Sequence, residues 1–283
     1  MSTKVKYLSI LLACLLIGFI AYSSFSAGTK DRPTISDGEY AKAWVSCQNL
    51  MSIHNYYHGV NHNLEELAAI WVKEDGAYAK TATFSQPGGV WESIDLIKVF
   101  YGNPKTKDKN QSLEEMIKNE PSAYPVAAMG IHLNTTPIIV VAGDGKSAKG
   151  IWYSPGPIFN YTGQKDKDGN DIAGGSVFFE KYGVDFVKED GEWKIWHIQM
   201  YYDYVFSLGS DWTKPGARQQ AQGQPPADQK GEKAAAPSGD MPQQVKATRA
   251  NPNPYEQWSP TRVSKMEPKI PVPYYTFSET FSY

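Results

Sequence analysis

Polar rings are concentrated in one short stretch of the chain. Residues His54 to His62 include three histidines and the adjacent tyrosines Tyr56 and Tyr57, within a segment that is otherwise patterned for burial. Histidine titrates near neutral pH, and tyrosine carries a hydroxyl on an apolar ring, so both can move protons or orient a ligand oxygen. Polar rings on a helix that faces a core need partners or a cavity. We therefore expect this stretch to form the back wall of a pocket.

Metal and cofactor signatures are weak by comparison. His54 and His58 have the i, i+4 spacing that can bind a metal on one helix face, but no acidic residue or cysteine stands near them at ligand spacing. The stretch Asp166–Asp171 resembles half a calcium loop, yet its glycine falls at position four instead of six and position twelve is Val177. The sequence also has no phosphate loop and no dinucleotide fingerprint. We expect neither a metal nor a cofactor.

A helix must carry the polar rings. Ser36 and Glu39 form a capping-box signature at its start. A buried stripe with spacings of four, three, four and three then follows, made of Tyr40, Trp44, Cys47, Met51 and His54. The helix ends at Gly59 or just before it, and Asn63 is expected to cap a second helix. Cys47 lies on the stripe, which favours a small core residue over a nucleophile.

The period changes from helical to strand-like after residue 126. Strands are predicted over Val126–Leu133, Pro137–Ala142, Ala148–Ser154, Ser176–Lys188 and Glu192–Tyr204. Between the third and the fourth, Pro155–Gly175 is interpreted as a long loop. A chain in which helices come first and a mostly antiparallel sheet follows is typical of an α+β fold.

The two ends of the chain differ from the middle. Residues 1–27 combine Lys4 and Lys6 with a long apolar run and small residues before position 28, which predicts a signal peptide. An uncleaved membrane anchor and lipidation at Cys14 are the alternatives, and in all three cases the domain is exported. Residues 214–245 are rich in Gln, Pro, Ala and Gly and predict a disordered linker. The aromatic tail 251–283 is expected to lie across its own domain or a neighbouring subunit.

The sequence resembles the SnoaL-like branch of the nuclear-transport-factor-two-like (cystatin-like cone) superfamily over roughly residues 36–206. The resemblance is one of order and composition, not of a strict motif. Its stretches are Asn55–Trp71, Glu92–Ile97, Ile131–Val141, Ala148–Tyr153 and Glu189–His197.

This resemblance implies N-terminal helices packed on a strongly curved sheet, which form a cone with an internal pocket. Enzymes of the superfamily, such as scytalone dehydratase and ketosteroid isomerase, move protons on cyclic substrates without a cofactor. The resemblance matches the tyrosine of the dehydratases to Tyr56 or Tyr57 and their catalytic histidine to His132. The catalytic aspartate corresponds to Asn61, which can orient an imidazole but offers no charge.

A further histidine, His197, is placed by strand alternation. It shares a face with Ile195, opposite Lys194. If Lys194 marks the outer face, His197 points into the cone and helps to orient the substrate.

Two classes of function follow. The first is an exported, cofactor-independent lyase (dehydratase) or isomerase that acts on a hydrophobic cyclic small molecule, with His132 as the general acid and base. The second is a non-catalytic ligand-binding, oligomerisation or scaffold module, which Asn61 in place of an acid favours. A net charge of −2 makes nucleic acid an unsuitable partner. We expect a homo-oligomer that contacts a membrane only through residues 1–27.

Overall fold

The computed structural model describes residues 32–102, 110–119, 129–208, 245–252, 255–259 and 261–283. The leader predicted over residues 1–27 lies outside these ranges, as does all but the last residue of the predicted linker 214–245. Across the described parts of the chain, none of the helices is both long and apolar enough to cross a membrane.

Four α-helices are present in the described residues. They are α1 (Asp37–Gly59), α2 (Asn63–Ile70), α3 (Ile94–Tyr101) and α4 (Leu113–Asn119).

The capping box at the start of α1 is confirmed. The backbone N–H of Ser36 donates to Glu39 Oε2 at 2.9 Å, and the N–H of Glu39 donates to Ser36 Oγ at 3.3 Å. The cap predicted for α2 is wrong by one residue, because His62 takes the N-cap position and Asn63 begins the helix. Asn63 instead donates from its side chain to Asn61 Oδ1 at 3.3 Å, within the turn that joins the two helices.

Within the ranges that the structure describes, seven strands form one sheet in the order β2-β1-β7-β6-β5-β3, with β4 also paired to β5. Their bounds are β1 Thr83–Gln86, β2 Gly89–Glu92, β3 Met129–Gly130, β4 Thr135–Val141, β5 Ser147–Lys165, β6 Asp171–Glu189 and β7 Glu192–Ser207. All pairings are antiparallel except that of β1 with β7. The sheet is strongly curled into a half-barrel, so the predicted α+β cone fold is confirmed.

The long loop predicted over Pro155–Gly175 is wrong, because β5 and β6 run through most of it. Two prolines occupy β5, and their carbonyls accept hydrogen bonds from Leu133 N and Ile131 N. The nitrogen and the carbonyl of one residue point to the same side of a strand, so these proline nitrogens face away from β6. The ladder between β5 and β6 therefore loses no hydrogen bond to proline.

Helix α1 packs across the concave face of the sheet. Cys47 and Met51 of α1 are fully buried, and Trp152 Nε1 of β5 donates to Gln48 Oε1 of α1 at 2.9 Å. Burial raises the pKa of the Cys47 thiol, which keeps it protonated and unreactive. The inner face of the sheet and the inner face of α1 thus enclose the core.

The described part of the C-terminal tail lies on its own chain. Trp258 N donates to the carbonyl of Asp203 at 2.7 Å, at one end of the sheet. Further along, Gly143 N donates to the carbonyl of Tyr274 at 2.9 Å. The tail therefore covers the outer face of the sheet, opposite α1.

Candidate active site

Four parts of the fold bring polar side chains, most of them buried, together on the inner side of the sheet. His54 and His58 come from α1 and Glu66 from α2, while His132 follows β3 and Glu180 lies on β6. Helices and a strand position four of these side chains, and the connection that carries His132 is hydrogen-bonded to β5 through Ile131 N and Leu133 N. They form two carboxylate–histidine groups that face each other.

The first group joins the two helices. His54 Nδ1 lies 2.8 Å from Glu66 Oε1, and His58 Nδ1 lies 3.6 Å from Glu66 Oε2. His54 and His58 are one helical turn apart, and their rings stack with centroids 5.2 Å apart. Trp71 Nε1 donates to Glu66 Oε1 at 3.4 Å, and Glu66 has no exposed surface. A completely buried carboxylate is thus hydrogen-bonded to one imidazole and an indole, with a second imidazole close by.

Electrostatics keep this carboxylate ionised. Burial opposes the charge of Glu66, but the nearby His54 and His58 outweigh burial and lower its pKa to about 2. Burial likewise favours the neutral form of His58, but its contact with Glu66 and the field of Glu180 raise its pKa above the usual value. The first group therefore favours protonation of His58 more than an ordinary imidazole does, beside an ionised carboxylate.

The second group lies on the sheet side. His132 Nδ1 lies 3.2 Å from Glu180 Oε1, which also accepts from the hydroxyl of Tyr182 at 2.8 Å. The His132 ring packs on Phe178 with centroids 4.7 Å apart. Burial lowers the pKa of His132, and the nearby His58 lowers it further, against the opposing effect of Glu180. A neutral, well-oriented imidazole is the result.

The two groups meet at His58 and His132. Their ring centroids are 4.9 Å apart and their planes cross at 77°. The side chain of His58 is 29% exposed and that of His132 is 8% exposed, so solvent reaches the site from the His58 side.

Hydroxyl groups next to these rings are available to a ligand. The hydroxyls of Tyr101 and Ser154 are buried and have no hydrogen-bond partner among the described residues. The Tyr101 ring contacts His58 edge-on, and Ser154 lies opposite Glu180 in the β5–β6 pair. Since a buried hydroxyl without a partner is costly, these two positions suit a polar ligand atom.

Of the site residues predicted from the sequence, some lie in the site and others lie outside it. His132 lies in the site. Tyr56 is 84% exposed and Asn61 is also exposed, so neither side chain contacts His132. Tyr57 is half-buried. Because His54 and His58 face the core, a residue two positions after His54 is rotated by about 200° around the helix and points outward.

The orientation predicted for His197 is wrong. Its Nδ1 lies 2.8 Å from Asp185 Oδ2, on the outer face of the sheet under the tail. The cause is a bulge in β7: Asp185 pairs with His197 while the next residue, Phe186, pairs with Ile195. The extra residue, Trp196, reverses the alternation, so Ile195 faces the core and His197 faces outward.

Sequence reasoning missed Glu66, Glu180 and the role of His58. The interpretation that no acidic residue accompanies His54 and His58 is wrong, because the turn between α1 and α2 folds Glu66 back onto them. A signal for Glu180 exists, since it alternates with the aromatic residues Phe178 and Tyr182 on a buried strand face.

Comparison with known proteins places the chain in a family. The family described as the SnoaL-like domain matches residues 46–199, which is more than half of the chain. No curated protein matches the sequence.

Several solved structures are similar in fold. A hexachlorocyclohexane dehydrochlorinase, LinA-type3 from Novosphingobium barchaimii, is 16% identical and covers 62% of this chain and 96% of its own, with a TM-score of 0.38. A protein from Novosphingobium aromaticivorans, provisionally assigned as a scytalone dehydratase, is 15% identical and covers 59% and 88%, with a TM-score of 0.38.

Proposed function

This chain belongs to the SnoaL-like domain family, and we propose that it is a lyase or isomerase that moves a proton on a hydrophobic cyclic small molecule. The observation that carries the proposal is the pairing of buried His132 with buried Glu180, opposite a second histidine–carboxylate group. Buried polar groups arranged in this way are costly for stability, and such arrangements are concentrated at functional sites.

In this proposal His132 is the general base. A neutral imidazole whose Nδ1–H donates to Glu180 Oε1 keeps the free lone pair on Nε2. That lone pair takes a proton from a substrate carbon, and the carboxylate of Glu180 stabilises the imidazolium that forms. The lowered pKa of His132 supports this role because the base is then unprotonated at neutral pH.

The opposite group stabilises the negative charge that proton removal creates. The electrons of the broken C–H bond form a new double bond, and the charge moves to an oxygen of the substrate. In this proposal His58, whose ring centroid lies 4.9 Å from that of His132, donates a hydrogen bond to that oxygen from across the site. In an isomerase the proton returns to another carbon, whereas in a dehydratase a protonated hydroxyl leaves as water.

The test is deuterium uptake by a panel of hydrophobic cyclic ketones in D2O, followed by mass spectrometry. We expect the wild type to catalyse exchange at carbons next to the carbonyl. His132→Asn should slow this exchange by about 10²–10⁴-fold, the contribution that a general base makes. The melting temperature should stay close to that of the wild type.

The matched control is Tyr56→Phe, on the same helix as His54 and His58 but with an exposed ring. It should exchange deuterium at the wild-type rate. Exchange at the wild-type rate in His132→Asn would refute the assignment of the base. Loss of exchange in Tyr56→Phe would instead return that tyrosine to the site.

Export and self-assembly belong to the same proposal. The basic, apolar and small-residue pattern of residues 1–27 supports export of the domain, with membrane contact only through that segment. The expected assembly is a homo-oligomer. Native mass spectrometry of the protein expressed with its own leader tests both export and self-assembly, since leader removal and subunit number each change the mass. A monomer that retains the leader in the cytoplasm would contradict both points.

A further inference from the structure

We propose that His54, His58 and Glu66 form a binding site for one divalent transition-metal ion of the zinc type. The site is part of the proposed active site, and the inference rests on the proposed function only for its catalytic consequence. It revises the expectation that the chain binds no metal.

The ligand set has the composition that zinc prefers. Two imidazoles at i and i+4 on one helix face and one carboxylate from a neighbouring helix are a frequent set in catalytic zinc sites, which keep a further position open. One ligand atom from each of the three residues can be chosen so that all lie within 4.8 Å of one another. With bonds of 2.0–2.1 Å, tetrahedral ligand atoms lie about 3.4 Å apart. The ligand atoms would therefore move closer together when the ion binds.

Unpartnered atoms give an independent indication of a ligand. His58 Nδ1 and Glu66 Oε2 are 3.6 Å apart, too far for a hydrogen bond, and neither has another hydrogen-bond partner among the described residues. His54 can offer Nδ1, which lies 2.8 Å from Glu66 Oε1. Glu66 is 0% exposed, so water cannot easily satisfy its free oxygen. A cation bound between these atoms would satisfy lone pairs that are otherwise costly to bury.

The surroundings hold the ligands in place. Trp71 Nε1 donates to Glu66 Oε1, which orients the carboxylate so that Oε2 is directed toward His58. The turn between the helices is closed by the hydrogen bond from His62 N to the carbonyl of Tyr57 at 2.9 Å. Both helices therefore keep a fixed distance at the point where the three ligands meet.

The open side of the site faces the proposed base. The ring of His132 lies 4.9 Å from that of His58, measured between centroids, and Glu180 stands behind it. A cation at this position would bind the substrate oxygen while His132 removes the proton, so the metal would supply the electrophile of the proposed reaction.

Binding is tested without any substrate. Chelator-treated protein is titrated with Zn²⁺ in a calorimeter, and with Co²⁺ while its visible absorption is recorded. We expect one ion per wild-type chain and a Co²⁺ spectrum typical of four nitrogen and oxygen ligands. Glu66→Gln and His58→Asn should each weaken Zn²⁺ binding by roughly 10-fold or more, because loss of even an outer-shell partner costs 10–100-fold.

Two control variants separate the site from its neighbours. Glu65→Gln changes the adjacent acid, which pairs with His62 instead, and should bind Zn²⁺ as the wild type does. His132→Asn should also retain binding, since its Nδ1 is held by Glu180 and it is not part of the ligand set. Zn²⁺ should raise the melting temperature of the wild type and of both controls but not that of Glu66→Gln, which shows that the folded protein is the form that binds.

Three results would overturn the inference: no Zn²⁺ or Co²⁺ bound by the wild type, undiminished binding in Glu66→Gln, or undiminished binding in His58→Asn. Failure of the inference is distinguishable from failure of the proposed function. Absent binding with normal deuterium exchange removes only the metal site. Normal binding with His132→Asn still active removes only the assigned base.

Discussion

At the scale of single residues, the site depends on two buried carboxylates that are each paired with histidine. Glu66 and Glu180 are 0% and 1% exposed, and an unpaired charge at such positions would be very costly. Each carboxylate also accepts from a ring donor, Trp71 for the first and Tyr182 for the second. These additional hydrogen bonds fix the direction in which each carboxylate meets its histidine.

The role of Glu180 can be measured by removing its charge. Glu180→Gln keeps the shape of the side chain but no longer stabilises a cationic His132. We expect the deuterium exchange rate to fall by about 10–100-fold, as is typical when the partner of a functional histidine is changed. Tyr182→Phe removes only one hydrogen bond to the intact carboxylate and should have a smaller effect. An equal loss in both variants would mean that packing, and not charge, is what Glu180 provides.

At the scale of elements, α1 must be held firmly because it carries two of the three histidines. Its capping box satisfies backbone donors at the start, and Cys47 and Met51 anchor its middle in the core. Whereas α1 holds two histidines in the site, the bulge in β7 turns His197 away from it. Helix capping and strand irregularity thus decide which rings reach the site.

The contribution of the cap to stability is testable. Ser36→Ala leaves one helix donor unsatisfied and should lower the free energy of unfolding by about 0.5–2 kcal/mol in urea denaturation. Lys42→Ala, an exposed position of the same helix, should change it by less than about 0.5 kcal/mol. Similar losses in the two variants would show that the cap hydrogen bonds do not stabilise α1 specifically.

At the scale of the whole molecule, the tail covers a second polar cluster on the outer face. Lys149 Nζ lies 2.6 Å from Asp185 Oδ1, and both residues are fully buried. Ser282 Oγ donates to Asp185 Oδ2 at 2.9 Å, and the backbone N–H of Tyr283 donates to the same oxygen at 3.0 Å. With His197 also beside it, Asp185 links the sheet to the end of the tail.

Because of this cluster, the free energy of unfolding is expected to depend on pH in the acid range. Burial opposes the charge of Asp185, but His197 and Lys149 outweigh burial and lower its pKa. A carboxylate whose folded pKa lies below the unfolded value, about 3.9, contributes stability above that value. That contribution is lost as the pH falls through the lower, folded pKa.

The measurement is urea denaturation of the wild type and of Asp185→Asn between about pH 2 and pH 7. We expect the variant to be less stable at neutral pH by about 3–5 kcal/mol, since Lys149 is left without its counter-ion. The difference should shrink below about pH 4, because the wild-type carboxylate is then being protonated too. Glu66 is present in both proteins, so its own protonation cancels in the comparison. A difference that stays constant with pH would contradict the assignment.

Features that depend on neighbouring residues could be derived from the sequence alone. The capping box and the buried stripe of α1 act within a few residues, and both are visible as local patterns. The order of helices and strands, together with the quoted stretches, indicated the family. His132 was found because the resemblance pointed to it.

Only the tertiary structure decided which residues meet. His54 and Glu66 are 12 positions apart, and His132 and Glu180 are 48 apart, so no local period relates them. The face of His197 depends on one extra residue in β7, which pairing with β6 reveals and strand alternation does not. Local periodicity reports how a segment is buried, whereas the chemistry of a site depends on which buried segments pack against one another.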